Sequence, residues 1–201
     1  MITEPDMELN FDIPEMEFAE RWPLFGNALF AAIFYLCAAM FHTYRCVDHK
    51  THERCKNYYR GALALFAAGS MTPLIYYGLM CDPYWQAMWL REIWGLCLLA
   101  VMIIVCKPKV ANVSFHVVVC SIIPPLFYMF NKLEYTYIIA IVLYILAAVN
   151  QITRLPEIYV KRSCDILGAS QQVSNMLFIV ASMLQFWENI SMFHTRQLHP
   201  C

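Results

Sequence analysis

Phe41-His42-Thr43-Tyr44-Arg45-Cys46 closes one apolar run, and Gly69-Ser70-Met71-Thr72-Pro73-Leu74-Ile75-Tyr76-Tyr77-Gly78-Leu79-Met80-Cys81 lies within the next. The first segment sets a histidine at the end of an apolar helix. The second sets a proline and a pair of tyrosines inside another. A bilayer tolerates an ionisable side chain at such depth when it has a partner, which makes an intramembrane histidine a functional candidate. The reading of the chain turns on which residues could partner His42.

The 201 residues are 60% hydrophobic and 14% charged. Ordinary soluble domains are about 45–50% apolar and about 25% charged. A single soluble core of this size cannot hide the excess, so the expected fold class is all-α, a polytopic membrane helical bundle. Net charge is −1, which gives no reason to expect a nucleic-acid partner. Most of the nine cysteines, such as Cys37, Cys97, Cys106 and Cys120, fall in apolar runs and read as small apolar fillers. No disulfide framework is expected. Residues 1–20 are acidic and lack the basic and apolar regions of a signal peptide.

Working outward from the opening segments gives six apolar runs, each near the roughly 20 residues a span requires. They are Leu24–Tyr44, Tyr58–Met80, Trp85–Cys106, Val110–Phe130, Tyr135–Gln151 and Gln172–Phe193. An acidic tail (1–21), a membrane domain (22–193) and a short C-terminal tail (194–201) follow from them. Lys and Arg near the helix ends set orientation. Arg45, Lys50, Arg54, Lys56, Arg60, Lys107, Lys109, Arg154, Lys161 and Arg162 fall on one side; Arg21, Arg91, Lys132 and Arg196 fall on the other. The first side is therefore expected in the cytosol, with both termini in the lumen or outside. Trp22, Trp85, Trp89 and Trp187 suit an aromatic belt on the non-cytosolic side. Pro73 and Pro124-Pro125 interrupt two spans, and neighbouring helices must satisfy the carbonyls they free.

His42 lies at the cytosolic end of its helix. Zinc is one reason to keep an imidazole there, and a catalytic zinc takes about three protein ligands with one open position. The other helices offer little at that depth. Residues 55–60 carry no carboxylate, and Ser170-Gln171-Gln172-Val173-Ser174-Asn175 carries no histidine. Gln171 and Asn175 have the i, i+4 spacing of a metal pair, but amides are poor zinc ligands. A hydrogen-bonded polar cluster of His42, Ser70, Tyr77, Gln171 and Asn175 is the preferred reading over a metal site. In the loop Arg45–Asn57, Cys46, His49, His52 and Cys55 form a possible tetrahedral set at three-residue intervals. Zinc ligands are usually paired across a longer gap, so the loop reads first as a solvated basic segment at an anionic leaflet. His116 reads as a core histidine. Asn189-Ile190-Ser191 matches the glycosylation pattern but lies too near the bilayer for modification. Asp165 fits either the mouth of the bundle or the cap of the last helix.

These motifs resemble the progestin and adipoQ receptor family, related to haemolysin III proteins and alkaline ceramidases. Phe41-His42-Thr43, the Gly69–Cys81 run, Ile123-Pro124, and Arg154-x-Pro156-Glu157…Asp165-Ile166…Ser170-x-Gln172 carry the resemblance over nearly the whole chain from about Trp22. Cys46…Cys55, Cys81-Asp82-Pro83-Tyr84-Trp85 and Phe186-Trp187…His199-Pro200-Cys201 look most like the branch that holds Raf kinase at the Golgi. The resemblance implies seven helices, a cytosolic N-terminus and a zinc near the cytosolic side. This chain shows six spans, and the first of the seven has no counterpart. The family's zinc set is a His in Phe-His-Thr, an Asp in Leu-Asp-Tyr, and two His in Ser-His-Gln-x-x-His. His42 matches the first. Residues 56–62 hold no Asp, Gln171 and Asn175 replace the two histidines, and Ala38 replaces a serine four residues before His42. The expectation is a non-catalytic membrane protein that regulates signalling by tethering a cytosolic kinase at the Golgi or another internal membrane, with no cofactor. A lipid or sterol receptor, with Tyr76, Tyr77, Met183 and Phe186 as pocket walls, is the alternative. A zinc-dependent ceramide amide hydrolase is disfavoured because the ligands are replaced.

Overall fold

The computed structural model describes residues 19–44, 48–106, 122–129, 134–153 and 170–199. Among them every regular element is helical. The helices are α1 (Trp22–Thr43), α2 (His49–Gly78), α3 (Pro83–Cys106), α4 (described over 122–129), α5 (Tyr135–Thr153) and α6 (Ser170–Leu198). Helices α1, α3 and α6 are long and apolar enough to cross a membrane, and α5 is a shorter apolar helix. The all-helical membrane bundle expected from composition is the fold. His116 and Asp165 lie outside the described residues.

The surface is inverted relative to a water-soluble protein. Phe25 (71% exposed), Phe127 (82%) and Trp187 (69%) face outward, while Asn27, Ser70, Thr72, Ser174, Gln185, Glu188 and Asn189 are buried. Lipid satisfies apolar side chains at no cost, whereas polar groups must find partners inside.

α2 is the central helix: it packs on α1, α3 and α6, and α6 in turn packs on α5. Its buried residues include Ala62, Ala64, Ala68, Gly69, Ser70 and Gly78. Small residues let neighbouring backbones approach, which is how membrane helices pack without a hydrophobic driving force between them. A Cβ on Gly69 would lie 2.6 Å from a ring carbon of Phe30, so α1 sits on bare backbone there. Pro73 lies within α2. Three side chains of neighbouring helices donate into α2, though among the described residues none donates to the Gly69 carbonyl that Pro73 leaves without its helical donor. Gln185 Nε2 donates to the Ser70 carbonyl (3.2 Å), Cys97 Sγ to the Ala64 carbonyl (3.4 Å), and Trp94 Nε1 to Thr72 Oγ1 (3.0 Å).

Two boundaries differ from the expectation. Residues 49–57 are not loop: α2 starts at His49, capped by Asp48, whose carboxylate accepts from the Lys50 N–H at 3.3 Å. Nothing between Asp48 and Gly61 breaks a helix, so the helix continues past the end of its apolar stretch. α6 likewise runs beyond Phe193 to Leu198. Arg196 holds that last turn, its Nε donating to the Tyr77 carbonyl at 2.8 Å.

Cys81 is disulfide-bonded, where no disulfide framework was expected. It lies at the end of the bundle opposite His42, beside Arg196 Nη1 (3.5 Å from its Sγ). Cys37, Cys55, Cys97 and Cys106 are free. Disulfides persist in oxidising compartments. A bonded Cys81 therefore agrees with the Lys/Arg distribution, which puts that end away from the cytosol.

Candidate functional site

The His42 end is built by the close of α1, the start of α2 and the start of α6. The Asn175 side-chain nitrogen lies 3.3 Å from His42 Nε2. An amide nitrogen only donates, so this imidazole nitrogen accepts. Asn150 Nδ2 donates to Ser174 Oγ at 3.0 Å beside it. Phe41 is the hub of the aromatic contacts, with His42, His52 and Tyr59 rings 5.3, 5.4 and 5.4 Å from its own.

His49, His52 and Cys55 occupy successive turns of α2, with Cys55 buried and His49 exposed. Cys46 and the side chain of Gln171 lie outside the described residues. Among the described residues, no three His, Cys, Asp or Glu converge as a metal set. Among the described residues, the imidazole of His42 and the amide of Asn175 do not make a zinc set, because amides bind zinc poorly.

The expected polar cluster is only partly one place. His42 and Asn175 meet. Ser70 lies on α2 about 11 residues beyond Tyr59, roughly 17 Å along the axis at 1.5 Å per residue. Tyr77 is two turns further, fully buried, and its hydroxyl donates to the Glu20 carbonyl at 2.8 Å. Met183 is exposed and lines no interior wall.

A denser polar layer lies at the depth of Ser70. Gln185 of α6 is its centre. Its Nε2 donates to Tyr137 Oη (2.7 Å) and to the Ser70 carbonyl, and its Oε1 accepts from Tyr144 Oη (2.8 Å). Tyr137 passes its own proton toward Met71 Sδ (3.8 Å). One turn away Tyr35 of α1 and Ser182 of α6 share a hydrogen bond. The network ties α1, α2, α5 and α6 together. Tyr137, Tyr144, Gln185 and Ser182 did not emerge from the sequence as site residues. The available signal was the run Ser182, Gln185, Glu188 and Asn189, polar side chains at helical spacing in an apolar span. Asn189 is 0% exposed, which removes it as a glycosylation acceptor.

With this geometry in place, the haemolysin-III related pattern matches residues 8–186. The chain belongs to the haemolysin-III related family. It is similar to heptahelical transmembrane protein 5 of Arabidopsis thaliana, 28% identical over 187 residues, covering 83% of this chain and 49% of that protein. It is similar to progestin and adipoQ receptor family member 3 of Mus musculus, 22% identical over 191 residues, covering 83% and 60%. Heptahelical transmembrane protein 4 of Arabidopsis thaliana is 25% identical over 202 residues, with 90% and 51% covered. The chain thus spans about half to three fifths of the length of these curated relatives. Membership in this family and the apolar helices make it an integral membrane protein whose environment is the lipid bilayer.

Proposed function

We propose that this chain is a non-catalytic member of its family that regulates signalling at an internal membrane by holding a cytosolic kinase, and that it works without zinc. The observation that carries this reading is the amide bonded to His42. The position that the family resemblance assigns to a metal ligand is used here for a hydrogen bond. An imidazole and an amide alone fall short of the three ligands that hold a catalytic zinc and lower the pKa of its bound water.

α2 supplies a surface for the partner. Its 30 residues give a length of about 45 Å, against a hydrocarbon core of about 30 Å. The start of the helix therefore stands clear of the core. Lys50, Arg54 and Tyr58 are exposed at four-residue intervals, forming one cationic and aromatic face. The Golgi and the Raf-type kinase come from the sequence resemblance.

The test is recruitment. The full chain in lipid nanodiscs is incubated with purified Raf-type kinase, and bound kinase is measured. Retention that falls when Lys50 and Arg54 are changed to Glu supports the proposal. No retention, across several cytosolic kinases, contradicts it. A second reading, a receptor for a lipid or sterol, is favoured by the Gln185 layer, which lies at a depth that a membrane-borne ligand reaches. Purified protein that retains no lipid counts against it.

A further inference from the structure

Cys81 is disulfide-bonded and exposed at the end of the bundle away from His42. Cys37, Cys55, Cys97 and Cys106 are free. Its partner within the chain is therefore Cys46, Cys120, Cys164 or Cys201. The register of α2 against α6 separates these four. Gln185 meets the Ser70 carbonyl, and the Tyr77 and Phe193 rings lie 5.7 Å apart. Met192 Cε is 3.5 Å from where a Cβ on Gly78 would stand. The Tyr77 carbonyl and Cys81 Sγ both meet Arg196. Residue numbers rise together along this seam, so the two helices run parallel and Cys81 is level with Arg196.

Bonded cysteines need Cα atoms within about 7 Å of each other. Cys46 precedes α2 by three residues, and Cys81 follows it by three. The helix between them spans about 45 Å. The two short connections cover at most about 22 Å of that. Cys164 fails for the same reason. Ser170 stands about 39 Å down α6 from Arg196, and the six residues back to Cys164 cover at most about 22 Å. Cys120 precedes α4, and it is the far end of α4 that approaches Cys81: Met129 reaches Gly78, and the Tyr128 ring lies 5.5 Å from that of Trp85. Residue 122 starts that helix about 10 Å deeper. Cys201 differs from all three, because it follows the residue that touches Cys81. Arg196 Nη1 lies 3.5 Å from Cys81 Sγ. Helical hydrogen bonding continues to His199, whose N–H donates to the Thr195 carbonyl at 2.9 Å. Pro200 is then a helix stop. The five residues from Arg196 to Cys201 reach at most about 17 Å.

We propose that Cys81 is bonded to Cys201, a cross-link that clamps the end of α6 onto the turn between α2 and α3 on the non-cytosolic side. The clamp secures a contact already in place. The Tyr77 carbonyl is among the last of α2, where carbonyls lack a helical donor, and Arg196 Nε supplies one. A bond from Cys81 to the segment just beyond Arg196 keeps that guanidinium over the end of α2. It also closes a long loop, which restricts the unfolded chain. The bond forms by thiol–disulfide exchange. The two thiols give up two protons and two electrons to the disulfide of a protein oxidoreductase, which leaves as a dithiol. Oxidants of that class work in the secretory lumen and not in the cytosol. The clamp is independent of the kinase-holding proposal and of His42.

The test uses the full chain expressed in eukaryotic cells. Membranes are dissolved in denaturant with excess N-ethylmaleimide and no reductant, so that free thiols are capped before they exchange. Proteolysis and mass spectrometry then read the linked peptides. The peptide carrying Cys81 is expected joined to the peptide carrying Cys201, and separated from it by reduction. In Cys201→Ser, maleimide labelling of Cys81 should rise from near zero to about one per chain, the stoichiometry of one released thiol. Cys81→Ser, Cys201→Ser and the double variant should unfold at one common midpoint below that of the wild type, since the second change removes nothing further. Free Cys81 in the wild type would overturn the proposal. So would a link from Cys81 to Cys46, Cys120 or Cys164, a link to a second copy of the chain, or a Cys81 that stays blocked in Cys201→Ser. Should the variants fail to fold, the peptide map of the wild type decides alone.

Discussion

The His42 end and the Gln185 layer use polar groups in opposite ways. At the His42 end Asn175 meets His42 at 3.3 Å between α6 and α1, and Asn150 donates to Ser174 at 3.0 Å between α5 and α6, in a region where Lys50, Arg54 and Tyr58 are exposed. In the Gln185 layer a single buried amide makes three hydrogen bonds to α2 and α5. The family motif marks the first region, but the second gathers three buried hydrogen bonds on one side chain. Position in a motif and contribution to the fold are separate properties of a residue.

Substitutions can break or sharpen this contrast. The largest effect is expected beside the inner layer. Gly69→Leu forces a side chain into Phe30, whose ring and Cβ both lie within 3.0 Å of the added carbon. Overpacking of this kind costs about 1–3 kcal/mol, and this site belongs at the upper end because backbone on one side cannot yield. Thermal unfolding in detergent should show it as a lower midpoint with intact expression. Gln185→Leu comes next, at about 2 kcal/mol, because it orphans the Tyr144 hydroxyl and the Ser70 carbonyl inside the bundle.

Tyr144→Phe should cost less, on the order of 0.6 kcal/mol, the typical value for one hydrogen bond between membrane helices. Combined with Gln185→Leu it should add almost nothing, since the bond is already gone. A fully additive double variant would show that the two side chains are not coupled. The smallest effect belongs to the other region. Asn175→Ala should lower stability by under about 0.5 kcal/mol, because its single bond is long and outside the core. A loss as large as that of Gln185→Leu would erase the contrast between the regions.

Much of the bundle is legible in the sequence because α1, α3, α5 and α6 are runs of lipid-compatible side chains, and composition alone reports those. The start of α2 is not legible that way. His49–Asn57 is polar, and a helix emerging from the bilayer looks like a loop when apolar length is the criterion. The Asp48 cap and the lack of Gly or Pro before Gly61 are the local signals that it continues. The His42–Asn175 pairing follows from the family spacing, since the two positions are those of metal ligands in a resembling motif. The Gln185 layer was hidden for a different reason. Tyr35, Tyr137 and Tyr144 fit equally well as lipid-facing or interior aromatics, and only the packing of α1 and α5 on α6 decides which way they turn. The disulfide at Cys81 was hidden because the nine cysteines, most of them in apolar runs, give no spacing pattern.

The central claim is that His42 has exchanged a metal for an amide. Zinc content of the purified full-length chain, measured by elemental analysis after expression in zinc-replete medium, tests it most directly. The expected result is far less than one zinc per chain, unchanged by His42→Ala. One equivalent of zinc that disappears with His42→Ala would contradict it.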